Sequence, residues 1–164
     1  TTFGHGGPET WGIDGKKNTW FFDKSRSGMG AMADLGVHKT DLIQYLLDSP
    51  VQETTAKVIT LDKRDDNGQL IGVDDNAICI YKMQSGVVGV MKASWTFYGM
   101  EDNSTVDKIQ TNDNQTKSGI IDAFVDCIAK DEKPPVDGED VLNAMKAIFA
   151  SIESSETGKT IKIK

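Results

Sequence analysis

Apolar residues recur along this chain with two periods that predict different elements. In the middle third, a stretch rich in β-branched residues predicts a strand over 51–61, and two apolar runs of strand length predict strands over 77–83 and 87–98. On either side, apolar residues spaced three and four apart predict amphipathic helices. One helix ends near Pro50, and two later stripes consist of Ile120, Ile121, Phe124, Val125 and Ile128, and of Val141, Leu142, Met145, Ile148, Phe149 and Ile152.

Short turns connect the predicted strands and fix their directions. Residues 84–86 predict a hairpin, and 65–68 turn the chain between the first two strands. Consecutive strands joined in this way pair antiparallel. Asp137 is expected to cap the last helix, Gly158 to end it, and 160–163 to form a final strand. The pattern predicts an α+β fold: a mostly antiparallel open sheet with helices packed on one face, the other face being free to meet a partner.

The first 24 residues are rich in glycine and aromatic side chains. We expect an irregular loop with a short strand before it. Exposed tryptophans are unfavourable, so the rings must pack on something. They either pack on the domain's own helices or on a partner, or they line a pocket for a polyol or sugar ring. The rings concerned are those of Trp11, Trp20, Phe21 and Phe22.

Charge and hydropathy narrow the functional class. A length of 164 residues fits one domain with a substantial core. The net charge of −7 argues against a nucleic-acid or anionic-membrane partner, because phosphate neutralisation requires clustered lysine and arginine. The sequence has no run of about 18 apolar residues and no signal-peptide pattern, so no membrane span is expected.

Cysteine and histidine usage adds two further expectations. Cys79 and Cys127 lie among apolar neighbours, which indicates buried, reduced thiols in a cytoplasmic protein. The chain has two histidines, His5 and His38, and no closely spaced pair of cysteines. A metal site therefore has few ligands available, and none is expected.

Asp34 and His38 are the strongest candidates for chemistry. A separation of four places both side chains on one face of a helix, one turn apart. A carboxylate beside an imidazole sets the tautomer and basicity of a histidine that exchanges a proton with an alcohol or carbonyl. Gly36 lies between them without a side chain, so another backbone, a substrate or a cofactor ring can approach there. The alternative is a helix that carries the pair by chance, and spacing does not decide between the two.

Two motif-like strings are interpreted as structural. Residues 28–33 match the G-x-G-x-x-A dinucleotide fingerprint, but polar residues precede them where a buried strand is needed. These glycines are expected to permit close packing. Residues 63–74 resemble a calcium loop, but Lys63 occupies the first ligand position and would repel the ion. This segment is expected to form a hairpin turn.

Two stretches, taken in order, carry motifs that recur in one enzyme family. The first comprises 20–23 and 27–38, similar to W-x-x-D followed by S-G-G-G-A-L-x-D-x-G-x-H. The second begins at 135–140 and continues with Ala150, Ser151, Ser154, Ser155 and residues 158–163. Together they resemble, over nearly the whole chain, the C-terminal domain of the Gfo/Idh/MocA family of NAD(P)-dependent oxidoreductases, the glucose–fructose oxidoreductase and inositol dehydrogenase group.

The resemblance implies a division of labour within a longer enzyme. NAD or NADP would be bound mainly by an N-terminal Rossmann domain, which is absent from this chain. Residues 1–164 would form the substrate-binding, catalytic and oligomerisation domain, inactive by itself. The family pattern also implies about two further strands between Ser104 and Lys108, so we expect a segment to be missing near 105–107.

The resemblance also assigns roles to residues. His38 would exchange a proton with a secondary hydroxyl of a sugar or cyclitol while hydride moves to or from the nicotinamide. Asp34 would orient His38 or hold a neighbouring hydroxyl, and Trp20, Lys39 and Asp41 would contribute to substrate binding. A homo-oligomer through the free sheet face is expected. Two alternatives stay open: a non-catalytic oligomerisation module and a sugar-binding module.

Overall fold

The computed structural model describes residues 1–11, 19–98 and 118–164. The strands are β1 (Thr2–Gly4), β2 (Val51–Ile59), β3 (Asn76–Met83), β4 (Val88–Ser94) and β5 (Ile161–Lys162). The α-helices are α1 (Lys24–Ser27), α2 (Val37–Leu47), α3 (Ser118–Lys130) and α4 (Gly138–Thr157). Short 3₁₀ helices span Pro8–Thr10 and Trp20–Phe22, and a π-helical turn spans Met32–Gly36.

The five strands form one mixed sheet in the order β1-β4-β3-β2-β5. Neighbouring strands from β4 to β5 pair antiparallel, whereas β1 pairs parallel to β4. The predicted α+β fold with a mostly antiparallel open sheet is therefore confirmed. The three central strands lie where the apolar pattern placed them, although β4 ends at Ser94, before the predicted end at Tyr98.

One face of the sheet forms the core with the helices. Along β3 the side chains alternate, so that Ala77, Cys79, Tyr81 and Met83 are buried and the residues between them are exposed. Helix α4 packs on this face against β2, and α2 packs against α4. Burial raises the pKa of the Cys79 thiol to about 11, so it stays protonated at neutral pH. Its predicted burial is confirmed.

Serines of α4 complete the hydrogen bonding of β2, because β5 pairs only with its first half. The N–H of Ala56 donates to Ser154 Oγ (3.0 Å), and that of Val58 donates to Ser155 Oγ (2.8 Å). Thr54 and Ser151 share a further buried hydrogen bond of 3.0 Å. Backbone groups along this sheet edge are thus satisfied by a helix, which also covers the edge.

The predicted turns and helix ends are confirmed. The carboxylate of Asp137 accepts from the N–H groups of Glu139 and Asp140 at the start of α4, and Gly158 ends it with φ +69°. In the turn after Lys63, the Asp65 carboxylate accepts from two backbone N–H groups, which makes the segment a hairpin turn.

Helix α3 departs from the prediction that the helices pack on the sheet. Its apolar stripe is exposed, with Ile120 at 70% and Ile128 at 66%. Cys127 on this helix is only half-buried, which differs from its predicted burial. The segment expected to be missing near 105–107 lies outside the described residues. Among the helices described, none has the length and apolarity needed to cross a membrane.

Candidate functional site

A carboxylate of the same chain accepts hydrogen bonds from backbone N–H groups of the glycine-containing segment 28–33. The N–H of Gly30 donates to Asp74 Oδ1 (2.8 Å), and that of Met32 donates to Asp74 Oδ2 (2.6 Å). A side chain at Gly30 would collide with the Asp74 carbonyl, so the prediction of close packing is confirmed there. Because Asp74 takes the N–H groups that a phosphate would need, this string does not form a dinucleotide cradle.

Asp34 lies on the π-helical turn, where an extra residue widens the helix. Trp95, fully buried at the end of β4, donates from its indole Nε1 to Asp34 Oδ2 over 2.9 Å. His5 Nε2 lies 3.5 Å from the same oxygen. The Asp34 side chain is still 20% exposed. The structure thus presents an anchored carboxylate that a ligand can reach.

The predicted contact between Asp34 and His38 is not found. Among the described residues, Asp34 pairs with Trp95 and His5, and His38 is exposed with neither a hydrogen bond nor an ion pair. The reason is that tertiary packing brings Trp95, just after β4, and His5, in the N-terminal segment, to the Asp34 carboxylate. Gly36 also differs from expectation, since it is buried against the core side chain of Met32 and is closed to a ligand.

Aromatic rings border Asp34 and form what we call the aromatic wall: Trp11, Trp20, Phe21 and Trp95. Trp20 stacks on Phe21 with centroids 4.1 Å apart, and Phe21 meets Trp11 and Trp95 edge-on at 5.4 and 6.3 Å. Trp11 and Trp20 are 52% and 47% exposed. Half-exposed ring faces beside a carboxylate suit a ligand that has both C–H faces and hydroxyl groups.

The remaining predicted residues lie at different distances from this cluster. Trp20 belongs to the aromatic wall. The Lys39 ammonium lies 5.0 Å from the ring centroid of Phe3, which meets His5 edge-on at 6.4 Å. Asp41 instead lines a groove of about 420 Å³ between α2 and the start of α4, whose lining residues do not include Asp34 or His38. The structure therefore brings together Trp20 and Asp34 but not Asp41.

His5 and Trp95 are the site residues that sequence reasoning missed. The only signal for His5 was its being one of two histidines. Its Nδ1 accepts from the N–H of Gly7 over 2.9 Å. The turn that carries it is held by the ammonium of Lys63, which donates to the Gly6 carbonyl and to the Glu9 carboxylate. Burial alone would lower the pKa of Lys63, but the hydrogen bond to Glu9 helps to raise it.

Two adjacent acids below the site have pKa values shifted in opposite directions. Burial raises the pKa of Asp74 above 3.8, despite its hydrogen bonds from Met32 and Gly30. Burial acts on Asp75 in the same direction, but N–H groups, including those of Lys63 and Asp62, outweigh it and lower the pKa. Asp75 is fully buried and fixes the backbone before Lys63.

We expect Asp75→Asn to lower the free energy of unfolding at pH 7 by about 1.5–3 kcal/mol, the contribution of hydrogen bonds to a charged group. The folded pKa of Asp75 lies below 3.8, so its stabilisation is present above that pH and is lost as pH falls through the folded pKa. The difference between parent and variant should therefore shrink in acid. Urea unfolding at neutral and acidic pH measures it, with exposed Asp66→Asn as the matched control. A difference independent of pH would contradict this assignment.

The described residues hold no cluster of three or more histidine, cysteine or acidic side chains placed to bind a metal ion. The site is therefore built from one carboxylate, imidazoles and aromatic rings. Such groups can bind a hydroxylated ligand and exchange protons with it.

The fold matches solved oxidoreductases, of which this chain spans about half the length. An NAD-binding oxidoreductase from Klebsiella pneumoniae has a TM-score of 0.77 at 17% identity, covering 99% of this chain and 57% of that one. Levoglucosan dehydrogenase in complex with NADH has a TM-score of 0.76 at 16% identity, and the match covers 90% of this chain and 54% of that one. Aldose–aldose oxidoreductase from Caulobacter crescentus, complexed with glycerol, has a TM-score of 0.75 at 16% identity, and the match covers 99% of this chain and 54% of that one.

The sequence itself identifies the family. The family model described as the GFO/IDH/MocA C-terminal domain matches residues 1–107. This chain belongs to that family, as the resemblance of its motifs indicated. No curated protein sequence matches it.

Proposed function

We propose that this chain is the substrate-binding part of an NAD(P)-dependent oxidoreductase that acts on a secondary hydroxyl of a sugar or cyclitol. The observation that carries the proposal is Asp34, anchored by Trp95 and still accessible, one helical turn before exposed His38. The aromatic wall beside it supports a ring-shaped, hydroxylated ligand. Relatives in the same fold were solved with levoglucosan and with glycerol.

The chain's own residues would handle the proton and the hydroxyl groups. As the carbinol carbon loses hydride, the imidazole of His38 takes the hydroxyl proton and the C–O bond becomes a carbonyl; in reduction His38 returns the proton. NAD(P) supplies the hydride acceptor or donor when bound. Asp34, which does not contact His38, would hold a neighbouring substrate hydroxyl. Trp20 would offer its ring face, and Lys39 and Asp41 would have peripheral contacts.

The cofactor would be bound mainly outside this chain. The N–H groups at 28–33, which a pyrophosphate would need, are taken by Asp74. We therefore assign no cofactor-binding residue here and expect a nucleotide-binding half to precede Thr1 in the active enzyme. Buried Cys79 and half-buried Cys127, both free thiols, are consistent with a cytoplasmic location.

The test joins the chain to an N-terminal nucleotide-binding half and supplies NAD⁺ or NADP⁺ with levoglucosan, inositol, glucose or glycerol. The expected result is that at least one ring polyol reduces the nicotinamide. The absorbance of the reduced nicotinamide measures the reaction. Asp34→Asn should raise KM more than it lowers kcat, because Asp34 holds a hydroxyl that does not react. Binding of a sugar by the isolated chain without any turnover of the joined protein would favour the sugar-binding module instead.

The sheet face that the described helices leave uncovered supports a second role, assembly. Four apolar side chains on β3 and β4 are exposed there: Ile78 at 50%, Ile80 at 49%, Val88 at 63% and Val90 at 43%. Ile80 and Val90 are direct cross-strand partners, so the apolar surface is continuous. A contiguous apolar patch of this kind is typical of an interface. We propose that two copies of the chain pack through this face.

We expect the double variant Ile80→Lys and Val90→Lys to convert an oligomer into a monomer, because it places two positive charges in the middle of the patch. Light scattering over a range of concentrations measures the mass. Leu46→Lys on α2 is the control, since it changes an exposed apolar residue off the sheet. A parent chain that stays monomeric at high concentration would contradict the assembly role.

A further inference from the structure

We propose that His5 is a positioning residue for Asp34, fixing one carboxylate oxygen so that the other is presented to a ligand. Two protein groups converge on Oδ2: Trp95 Nε1 donates to it over 2.9 Å, and His5 Nε2 lies 3.5 Å from it. Within the described residues, Oδ1 accepts no hydrogen bond, and the side chain is partly exposed. The geometry therefore separates an anchored oxygen from one that is available to a hydroxyl group.

The tautomer of His5 follows from its other nitrogen. The backbone N–H of Gly7 donates to Nδ1 over 2.9 Å, so Nδ1 carries a lone pair and the proton of the neutral ring is on Nε2. Nε2 is buried and has no well-aligned hydrogen-bond partner. Nε2 lies 3.5 Å from Asp34 Oδ2, and the proton on Nε2 gives the ring a group that can act on that oxygen.

The turn that holds His5 is rigid. Gly7 has φ +100°, and the space of a side chain there is filled by Glu9 and Lys63. Lys63, 5% exposed, donates to the Gly6 carbonyl and to Glu9. Thr10 donates from both its N–H and its hydroxyl to the Gly7 carbonyl. The turn that places the Gly7 N–H is thus held by a partly buried ion pair.

His5 is not itself a candidate general base. Its Nδ1 is occupied by the N–H of Gly7, and its Nε2 is inaccessible to solvent. Rings of Phe3 and Trp11 pack on it, the latter with centroids 5.1 Å apart. A base must reach the proton that it takes. The role that remains for His5 is to act through Asp34.

Nitrogen NMR of the 164-residue chain tests the tautomer and the contact without any assay of turnover. The two histidine spectra are distinguished by His38→Ala. We expect His5 to show a protonated Nε2 and an unprotonated Nδ1, and His5→Leu to shift the Trp95 indole N–H resonance. His5→Gln, whose amide can place an N–H near the position of Nε2, should restore that resonance. A proton on Nδ1 of His5 would overturn the proposal. A Trp95 indole N–H resonance that does not shift in His5→Leu would overturn it as well.

The catalytic consequence rests on the proposed function and is measured separately in the joined enzyme. His5→Leu should lower kcat/KM about tenfold at most, chiefly through KM, because Asp34 Oδ2 loses one of the two groups that position it, and His5→Gln should recover most of the loss. In an Asp34→Asn background the same change should have no further effect. Inactivity of the joined enzyme would refute the proposed function and leave the NMR result to decide on His5. An active enzyme indifferent to His5→Leu would refute the positioning role alone.

Discussion

Replacement of His38 by alanine is expected to lower kcat of the joined enzyme by about 10²–10⁴-fold, the usual contribution of a positioned acid or base. The imidazole is exposed on the first turn of α2, so its loss should leave the fold intact. KM should change little, because Asp34 and the aromatic wall bind the substrate in the proposal. Steady-state kinetics with the best polyol substrate measure both parameters.

Two controls separate the chemical role of His38 from a structural one. Thermal unfolding of His38→Ala should match the parent, and Asp66→Ala in the hairpin turn should retain full turnover. Added imidazole should restore part of the activity of His38→Ala, because it can occupy the vacated space and carry the proton. Unchanged kcat in His38→Ala would remove this residue from the mechanism.

Replacement of Trp95 by alanine is expected to lower the free energy of unfolding by about 3–5 kcal/mol, as for large aromatic residues in cores. Trp95 is fully buried, with its ring centroid 6.3 Å from that of Phe21 and 6.1 Å from that of Phe22. Its loss leaves a cavity beside Phe21 and Phe22 and removes the donor to Asp34. Urea unfolding followed by circular dichroism measures the change.

Trp95→Phe separates these two effects. The smaller ring keeps most of the packing but has no N–H, so we expect a loss of about 1 kcal/mol, the size of a single hydrogen bond. In the joined enzyme the same variant should weaken substrate binding, since Asp34 then loses its hydrogen bond from Trp95 and keeps only the 3.5 Å contact with His5. Trp20→Ala is the control, because a half-exposed ring should contribute about 1 kcal/mol or less. Equal losses for Trp95→Ala and Trp20→Ala would show that Trp95 is not central to the core.

The elements of this fold follow from local patterns in the sequence. The strands are set by short apolar and β-branched runs, such as residues 77–83, and the ends of α4 are set by Asp137 and Gly158. Such signals operate over a few residues, so they are visible in a single sequence. The apolar stripe of α3 could also be predicted from the sequence. Such a stripe does not indicate which surface packs against it.

The site was less predictable because its contacts join distant parts of the chain. Spacing located Asp34 and His38 but paired them with each other, whereas Asp34 is bound by Trp95, 61 positions later. The N–H of Gly30 likewise meets Asp74, 44 positions later. Packing of β4 and the N-terminal segment against the π-helical turn selects these partners. No local pattern contains that information.

The wide turn from Met32 to Gly36 has a consequence for comparing this chain with its relatives. An α-helix rotates about 100° per residue, so a protein with one residue fewer in this turn would present its acid in another direction relative to the imidazole that follows. The angle between the two groups is therefore encoded in the number of residues, not only in their identities. An alignment that absorbs the surplus residue as a gap would keep the acid and histidine in matching columns while concealing that they face differently in space.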